Sequence, residues 1–251
     1  MVLKATLNDA RRWRDIMKVI STLLEEAEFK VSPEGVKLRA MNDSKVAMID
    51  LDLPSAFFDR YECDTVADLR IKVKSMLDIL EGVGTNESLE LFYTKEQAKL
   101  VVYLHNEYER TFRLATLATE KEFEKEIPEN FAVKAQVSTA NLKKVMSESE
   151  KMGNEITIET KTDKIEFKTI GLTGDVISRF SKGTPSITEL SVEKESTATY
   201  SLDLLKNIVK EASTITETVN IEYSTNHILR LDFVLPQGKL HLFLSPSIEA
   251  N

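Results

Sequence analysis

The chain has 251 residues, 29% charged and 42% hydrophobic, a composition typical of a folded globular protein. Its single cysteine excludes an internal disulfide and a cysteine-based zinc site, and favours an intracellular protein. No hydrophobic run is long enough to span a membrane, and no signal peptide is expected from the first residues. The net charge of −8 counts against nucleic-acid binding unless the positive charges are concentrated on one surface.

Helix and strand patterns alternate through the first half of the chain. Hydrophobic residues at 3.6-residue spacing predict a first helix to about residue 24, with Asn8 or Asp9 as its N-cap. Strands are predicted at 27–31, 36–39 and 46–53. A shorter helix is predicted at 75–81, where Gly82 is a natural end, followed by strands at 89–93, 100–104 and 111–117.

A charged segment separates this half from the next. Residues 119–130 contain a proline and exceed the usual length of a connection, so they are interpreted as a surface connector between two domains. A third helix is predicted from Ser138 or Thr139 to Gly153, and a fourth over 201–213. Strands are predicted near 156–159, 164–170, 175–180, 219–223, 228–235 and 239–244.

The two halves look like copies of one module. With a shift of 129 residues, the hydrophobic positions of 7–38 coincide with those of 136–167, for instance Trp13 with Leu142. Each half then has two amphipathic helices followed by strands. We predict an α+β protein with an N-terminal domain, a connector and a C-terminal domain at 1–117, 118–131 and 132–251.

The predicted helices hold an excess of positive charge. Taken as 7–24, 72–81, 138–151 and 201–211, they carry 11 basic and 8 acidic residues, a net +3 against −11 for the remaining chain. Long basic side chains on a rigid face suit contact with DNA phosphates. The exposed faces of helices in proteins of many kinds also carry Lys and Arg, so charge alone leaves both interpretations open.

The sequence contains no recognisable catalytic constellation. It has no Gly-rich phosphate-binding or dinucleotide turn, and His105, His227 and His241 are isolated from one another. The acidic pairs at 25–26 and at 50 and 52 are candidate metal ligands, but in so acidic a chain they are better interpreted as solvated. We expect no catalytic residue, no metal and no cofactor.

Five segments carry a distinctive order of motifs: GVKLRAM at 35–41, SKVAM at 44–48, FDRYEC at 58–63, SMLDIL at 75–80 and LFLSPSIE at 242–249. Together they resemble the signature of the proliferating cell nuclear antigen family, the sliding clamps of archaeal and eukaryotic DNA replication. The resemblance covers the whole chain in the right order, including its length, duplication and connector.

The resemblance implies a trimeric ring of six domains, with helices lining a hole around duplex DNA and sheets facing outward. It implies a processivity factor without enzymatic activity, placed on DNA by a clamp loader. DNA polymerase, the flap endonuclease and DNA ligase would bind it through short peptide motifs. For the cellular location of the protein, the archaeal cytoplasm is favoured and the eukaryotic nucleus is the alternative. Because such a ring holds DNA topologically, sequence-independent attraction to phosphate is sufficient.

The resemblance also assigns residues to three surfaces. The DNA-binding cations are Arg11, Arg12, Arg14, Lys18, Lys144, Lys151, Lys206 and Lys210. The partner-peptide pocket comprises Met41, Val46, Met48, Phe123, Ile127, Phe243, Ser245 and Pro246. The subunit interface pairs one strand with a strand of a neighbour, and its residues are Tyr108, Arg110, Phe112 and Arg113 on the first and Asp175, Ile177 and Arg179 on the second, with Lys182 nearby.

Several residues depart from the family pattern. Asp78 and Glu81 stand at helix positions that are usually basic, and His227 and Ser245 replace a usual proline and alanine in the pocket. These departures leave open one subunit of a heterotrimeric or checkpoint-type clamp. The alternative from another class is a metal-dependent phosphodiesterase that uses surface carboxylates.

Overall fold

The computed structural model describes residues 2–94, 96, 98–119 and 130–247. The chain forms two compact units. The first comprises residues 1–124 with 235–240, and the second comprises residues 125–234 with 241–251. Among the described residues, no helix is both long and apolar enough to cross a membrane.

The first unit contains two helices and two antiparallel sheets. One sheet has the strand order β5-β1-β7-β8-β9 and the other contains the order β4-β3-β2-β6. The helices are α1 (Arg11–Ser21) and α2 (Val73–Leu80), and a 3₁₀ turn lies at Ser55–Phe57. The strands are β1 (Leu3–Leu7), β2 (Glu26–Ser32), β3 (Gly35–Met41), β4 (Ala47–Pro54), β5 (Arg60–Cys63), β6 (Ala67–Lys72), β7 (Ser88–Thr94), β8 (Lys99–His105) and β9 (Glu109–Ala115).

The second unit repeats this plan. Its sheets have the strand orders β14-β10-β16-β17-β18 and β13-β12-β11-β15. The helices are α3 (Thr139–Ser149) and α4 (Leu202–Ala212). The strands are β10 (Val133–Ser138), β11 (Glu155–Lys161), β12 (Lys164–Gly171), β13 (Gly174–Ser181), β14 (Ile187–Val192), β15 (Ser196–Ser201), β16 (Thr218–Tyr223), β17 (Leu229–Val234) and β18 (Lys239–Leu244), of which His241 onward belongs to this unit.

The helices bury one face and leave the other to solvent. In α1 the stripe of Trp13, Ile16 and Ile20 is buried, as the 3.6-residue spacing predicts. In each unit the two helices pack against each other, α1 with α2 and α3 with α4. The strands alternate buried and exposed residues, so each sheet contributes one face to the core of its unit. This arrangement leaves the polar side chains of all four helices on exposed faces.

Tyrosine hydroxyls connect the two sheets of each unit. The Tyr61 hydroxyl on β5 lies 2.7 Å from the carbonyl oxygen of Ser32 and 2.9 Å from that of Gly35 in the other sheet, and its single proton is shared between these two acceptors. In the second unit, the buried Tyr223 hydroxyl on β16 lies 2.8 Å from Thr160 Oγ1 on β11. Burial raises the pKa values of both tyrosines, so both stay protonated and able to donate.

The predicted α+β class and the four helices are confirmed, but some details were wrong. Helix α1 begins at Arg11, and its N-cap, Ala10, makes no side-chain capping bond. Helix α2 ends at Leu80 with Glu81 as its C-cap, and α3 ends at Ser149 rather than at Gly153. Ser138 does cap α3, accepting a hydrogen bond from the Asn141 N–H. Sequence patterns missed the strands β1, β5, β6, β10, β14 and β15.

Candidate nucleic-acid interface

The four helices concentrate positive charge in an acidic chain. Within their observed bounds they carry nine basic and five acidic residues, a net +4 in a chain whose total is −8. All of this excess comes from α1 and α3, because the acidic residues of α2 and α4 balance their lysines. The exposed helix faces are therefore the part of each unit best suited to attract a polyanion.

The three arginines of α1 are held by partners within the first unit. Arg11 binds Asp9 through two side-chain hydrogen bonds of 2.8 and 2.7 Å, which lower the pKa of Asp9. Arg12 donates to the carbonyl oxygen of Phe57 at 2.6 Å, and its guanidinium lies 4.5 Å from the centroid of that ring. Arg14 donates to Asp15 at 2.9 Å and to the carbonyl oxygen of Val83 at 3.2 Å.

The lysines of α3 and α4 differ in how firmly they are held. Lys206 donates to Glu150 at 2.6 Å, and this bond raises the pKa of the lysine. Lys144 lies 3.9 Å from Glu148 and Lys210 lies 3.2 Å from Glu211, with 74% and 62% of the two lysine side chains exposed. Such exposed pairs contribute about 0–1 kcal/mol and are easily exchanged for a phosphate.

Other basic side chains make no hydrogen bond or ion pair in the part of the chain that the structure describes. Within residues 2–94, 96, 98–119 and 130–247, Lys18 and Lys151 have no side-chain hydrogen bond or ion pair. Lys143 on α3 is exposed and also unpaired within this part of the chain. The resemblance did not assign Lys143 to the interface, although its adjacency to Lys144 was a signal for it. These lysines are available for an anion without breaking an existing contact.

The predicted pocket residues of the first unit lie on the β3–β4 hairpin. Met41 pairs with Met48 across the hairpin, Met48 is buried, and Val46 is 39% exposed. Asn42 supports the connecting turn because its Oδ1 accepts the N–H groups of Val46 (3.1 Å) and Ala47 (3.0 Å). Val46 is therefore exposed on a turn whose backbone is held by hydrogen bonds to Asn42.

The predicted pocket residues of the second unit follow β18. Phe243 is buried and stacks on His241 with ring centroids 6.4 Å apart, whereas Ser245 and Pro246 are half-buried. His227, a departure from the family pattern, is exposed and lies edge-on to Phe131 at 6.4 Å. Two further pocket residues of the prediction lie outside the described residues, Phe123 and Ile127.

The predicted interface strands are the last strands of their sheets. Strand β9 ends one sheet of the first unit, and β13 ends one sheet of the second. Tyr108 and Ile177 are 63% and 51% exposed, and Phe112 is half-buried. Arg110, however, forms an ion pair with Glu87, which is only 2% exposed, so this arginine is directed into its own unit.

Candidate metal ligands are dispersed or paired with cations. Asp50 lies 2.8 Å from Arg39, and Asp52 lies 2.9 Å from Lys37. His241 Nδ1 lies 3.2 Å from Asp232, beside Arg230. In the part of the chain that the structure describes, no group of three or more His, Cys, Asp or Glu side chains is placed to hold a metal ion.

Comparison with known proteins identifies relatives along the whole chain. The family model of the proliferating cell nuclear antigen N-terminal domain matches residues 2–123, and that of the C-terminal domain matches residues 126–248. A DNA polymerase sliding clamp of Nitrosopumilus maritimus is 29% identical over 236 residues, 94% of each chain. One from Thermofilum pendens is 27% identical over 254 residues, covering 99% of this chain and 100% of the relative.

Two solved structures share the fold. The proliferating cell nuclear antigen (PCNA) of Thermococcus kodakaraensis superposes with a TM-score of 0.92 at 22% identity, covering 98% of this chain and 100% of the other. A chain of the PCNA2–PCNA3 complex of Sulfolobus tokodaii gives a TM-score of 0.89 at 23% identity, covering 97% and 98%. Both structures match the duplicated architecture.

Proposed function

The chain belongs to the proliferating cell nuclear antigen family, and from that premise we propose that it is a DNA polymerase sliding clamp that encircles duplex DNA as a trimer. The observation that carries this proposal is the match of both family models, which together span residues 2–123 and 126–248. Curated relatives of the same length bear the name DNA polymerase sliding clamp. The two helix-and-sheet units provide the two domains that each subunit of such a ring needs.

The contact with DNA is weak and independent of sequence. Lys18, Lys143, Lys144, Lys151 and Lys210 carry it, because their ammonium groups are free or held only by exposed pairs. The arginines of α1 and Lys206 contribute mainly through the field of their charges, since their hydrogen bonds are already used within the chain. A closed ring needs no tight grip, and weak contacts let it slide.

Partner proteins bind through short peptides with hydrophobic anchors. On the first unit Val46 offers an exposed hydrophobic side chain two residues before the buried Met48, and on the second the half-buried Pro246 follows the end of β18. DNA polymerase is the partner that the names of the relatives indicate. The clamp loader, the flap endonuclease and DNA ligase are further proposed partners. In this proposal the protein acts inside a cell and catalyses no reaction itself.

A heterotrimeric or checkpoint-type clamp is the second candidate within the same class. The comparisons do not favour it, because the chain of the PCNA2–PCNA3 complex matches at 23% identity and shares the fold alone. A metal-dependent phosphodiesterase is not favoured, because both family models belong to a clamp family.

The proposal is tested by the mass of the purified chain and by its retention on DNA. We expect a native mass of three times 28.4 kDa. After loading by a clamp loader and a high-salt wash, the protein should stay on closed circular DNA and leave linear DNA through its free ends. Equal retention on both would contradict topological binding. The heterotrimer would be favoured if the chain is strictly monomeric and forms a ring only with a second PCNA-like chain. The phosphodiesterase would be favoured if the protein cleaves DNA with Mg²⁺ and EDTA abolishes the cleavage.

A further inference from the structure

Two surface segments of the second unit are tied side by side to the same edge strand. Strand β15 is the last strand of its sheet. The Asn226 N–H, in the loop between β16 and β17, donates to the carbonyl oxygen of Thr197 at 3.0 Å. The Ser247 N–H, in the segment after β18, donates to the carbonyl oxygen of Thr199 at 2.8 Å. Two residues along a strand span about 7 Å, so the loop and the segment after β18 lie next to each other.

The residues that lead into β10 hold the same loop from another side. The Ala132 N–H donates to Ser224 Oγ at 3.0 Å. The ring of Phe131, which is 3% exposed, lies 6.4 Å from the ring of His227, with the two planes at 74°. The Tyr200 hydroxyl donates to the carbonyl oxygen of His227 at 2.8 Å, and burial raises the pKa of Tyr200, so this donor keeps its proton. The backbone of the loop is therefore held in place while the His227 side chain stays exposed.

His227 is the one titratable side chain on this surface that changes charge near neutral pH. The segments that form the surface contain no Asp, Glu, Lys or Arg: residues 130–132, 197–200, 224–228 and 245–247. The adjoining turn carries the exposed Glu193, Lys194 and Glu195, and the Glu193 N–H donates to the carbonyl oxygen of Ala132 at 2.8 Å. Glutamate and lysine do not ordinarily titrate between pH about 5.5 and about 7.5, whereas histidine does.

The imidazole of His227 is available to a ligand. Among the residues that the structure describes, it makes no side-chain hydrogen bond or ion pair. The other histidine of the second unit, His241, is largely buried and lies 3.2 Å from Asp232 and 2.9 Å from Arg230. Its ring is thus engaged within the sheet, and only His227 offers an exposed imidazole beside the segment that carries Ser245 and Pro246.

We infer that His227 selects partner peptides by charge: it favours a peptide with an acidic side chain next to the hydrophobic anchors, and the preference strengthens as the pH falls. This inference deepens the proposed function and rests on it, since it concerns the proposed peptide pocket. A protonated imidazole is a cation with two N–H donors, which a carboxylate can accept, whereas the neutral ring has one donor and no charge. No other side chain of the surrounding segments can supply this change.

Calorimetry with matched peptides tests the inference on the full-length chain. The probe is a short peptide with one aliphatic and two aromatic anchors, prepared with Glu or Gln at each of the other positions in turn. At low ionic strength, one Glu peptide should bind the wild type roughly two- to fivefold more tightly at pH about 5.5 than at about 7.5, relative to its Gln counterpart. In His227→Gln the Glu and Gln peptides should show the same pH response.

Two further variants separate charge from structure. His227→Lys carries a fixed cation, so it should prefer the Glu peptide at both pH values without a change between them. His105→Gln replaces a half-buried histidine of the first unit and should keep the wild-type response. The Gln peptide should bind His227→Gln and the wild type equally at pH about 7.5, which shows that the loop is intact.

Failure of this inference and failure of the proposed function give different results. A wild type that binds the peptides but prefers Glu at no position, or a His227→Gln variant with the same pH-dependent preference, overturns the role of His227 and leaves the clamp standing. A wild type that binds none of the peptides at either pH overturns the peptide docking itself, and the role of His227 with it.

Discussion

Arg179 Nε donates to Glu166 Oε1 at 2.5 Å, joining β13 to β12. Lys164 and Lys168 lie 3.0 and 3.1 Å from the same carboxylate, which is almost fully buried beneath the three cations. Hydrogen bonds from Lys164, Arg179 and Lys168, in that order of effect, lower the pKa of Glu166 to about 2. This cluster ties the edge strand β13 to β12.

The low pKa of Glu166 predicts a loss of stability in acid. A carboxylate whose pKa is lowered on folding stabilises the folded state above its unfolded pKa, and this contribution is lost as the pH falls through the folded pKa. The stability of the protein should therefore fall between pH about 4.5 and about 2. Glu166→Gln should make this part of the pH profile flatter, as measured by thermal unfolding at each pH. The same steep fall in the variant would contradict the assignment.

The buried ion pair between Arg110 and Glu87 predicts that removing one partner destabilises the fold more than neutralising both. Arg110→Ala leaves Glu87 buried without its cation and should lower the free energy of unfolding by about 3–5 kcal/mol. The double variant Arg110→Met with Glu87→Gln should cost less than Arg110→Ala alone, because no unpaired charge remains. Urea denaturation at one fixed protein concentration measures both.

Arg60→Ala is the control for that comparison, because Arg60 is an exposed arginine. It should change stability by no more than about 0.5 kcal/mol. A double variant that is less stable than Arg110→Ala would show that the pair is not the source of the effect.

Exposed lysines on α3 and α4 should support loading on DNA. Lys144→Glu with Lys210→Glu reverses two cations that are held only by exposed pairs, so we expect an intact trimer with polymerase stimulation reduced on the order of tenfold at physiological salt. The control Lys134→Glu with Lys194→Glu makes the same charge change at exposed positions outside the helices. Equal loss in both variants would assign the effect to net charge rather than to the helix faces.

Peptide binding should depend on the hairpin turn that presents Val46. Val46→Asp places a charge at the exposed hydrophobic position and should weaken the binding of a partner peptide about tenfold or more, measured by calorimetry. Val66→Asp is the control, since Val66 is 54% exposed on a different loop. Unchanged affinity in Val46→Asp would remove this hairpin from the pocket.

The contact between Tyr223 and Thr160 should stabilise the second unit. Tyr223→Phe removes a buried hydroxyl that lies 2.8 Å from Thr160 Oγ1 and 3.0 Å from the carbonyl oxygen of Ser196, so we expect a loss of about 1–3 kcal/mol in the free energy of unfolding. Tyr108→Phe, at a tyrosine that is 63% exposed, should have little effect on unfolding. Similar losses in the two variants would show that the buried hydroxyl adds nothing.

Local patterns determine the helices well and the strands less completely. The stripe of Trp13, Ile16 and Ile20 predicts α1 because a helix buries every third or fourth residue whatever it packs against. Strand β14 was missed because the extra residue Thr188 forms a bulge opposite β10 and interrupts the alternation. Strands as short as β5, with four residues, offer too few positions for a period of two to stand out.

What the sequence determines by itself is the duplicated α+β plan, the helices and the family, because hydrophobic periodicity and motif order are local properties of the chain. Tertiary structure decides which charges remain available. Arg12 is bound by the carbonyl oxygen of a residue 45 positions away, Arg14 by one 69 positions away, and Arg110 by a carboxylate 23 positions away. Such partners meet only when the strands pack, so the exposed lysines could be distinguished from the cations that are bound within the chain only in the folded structure.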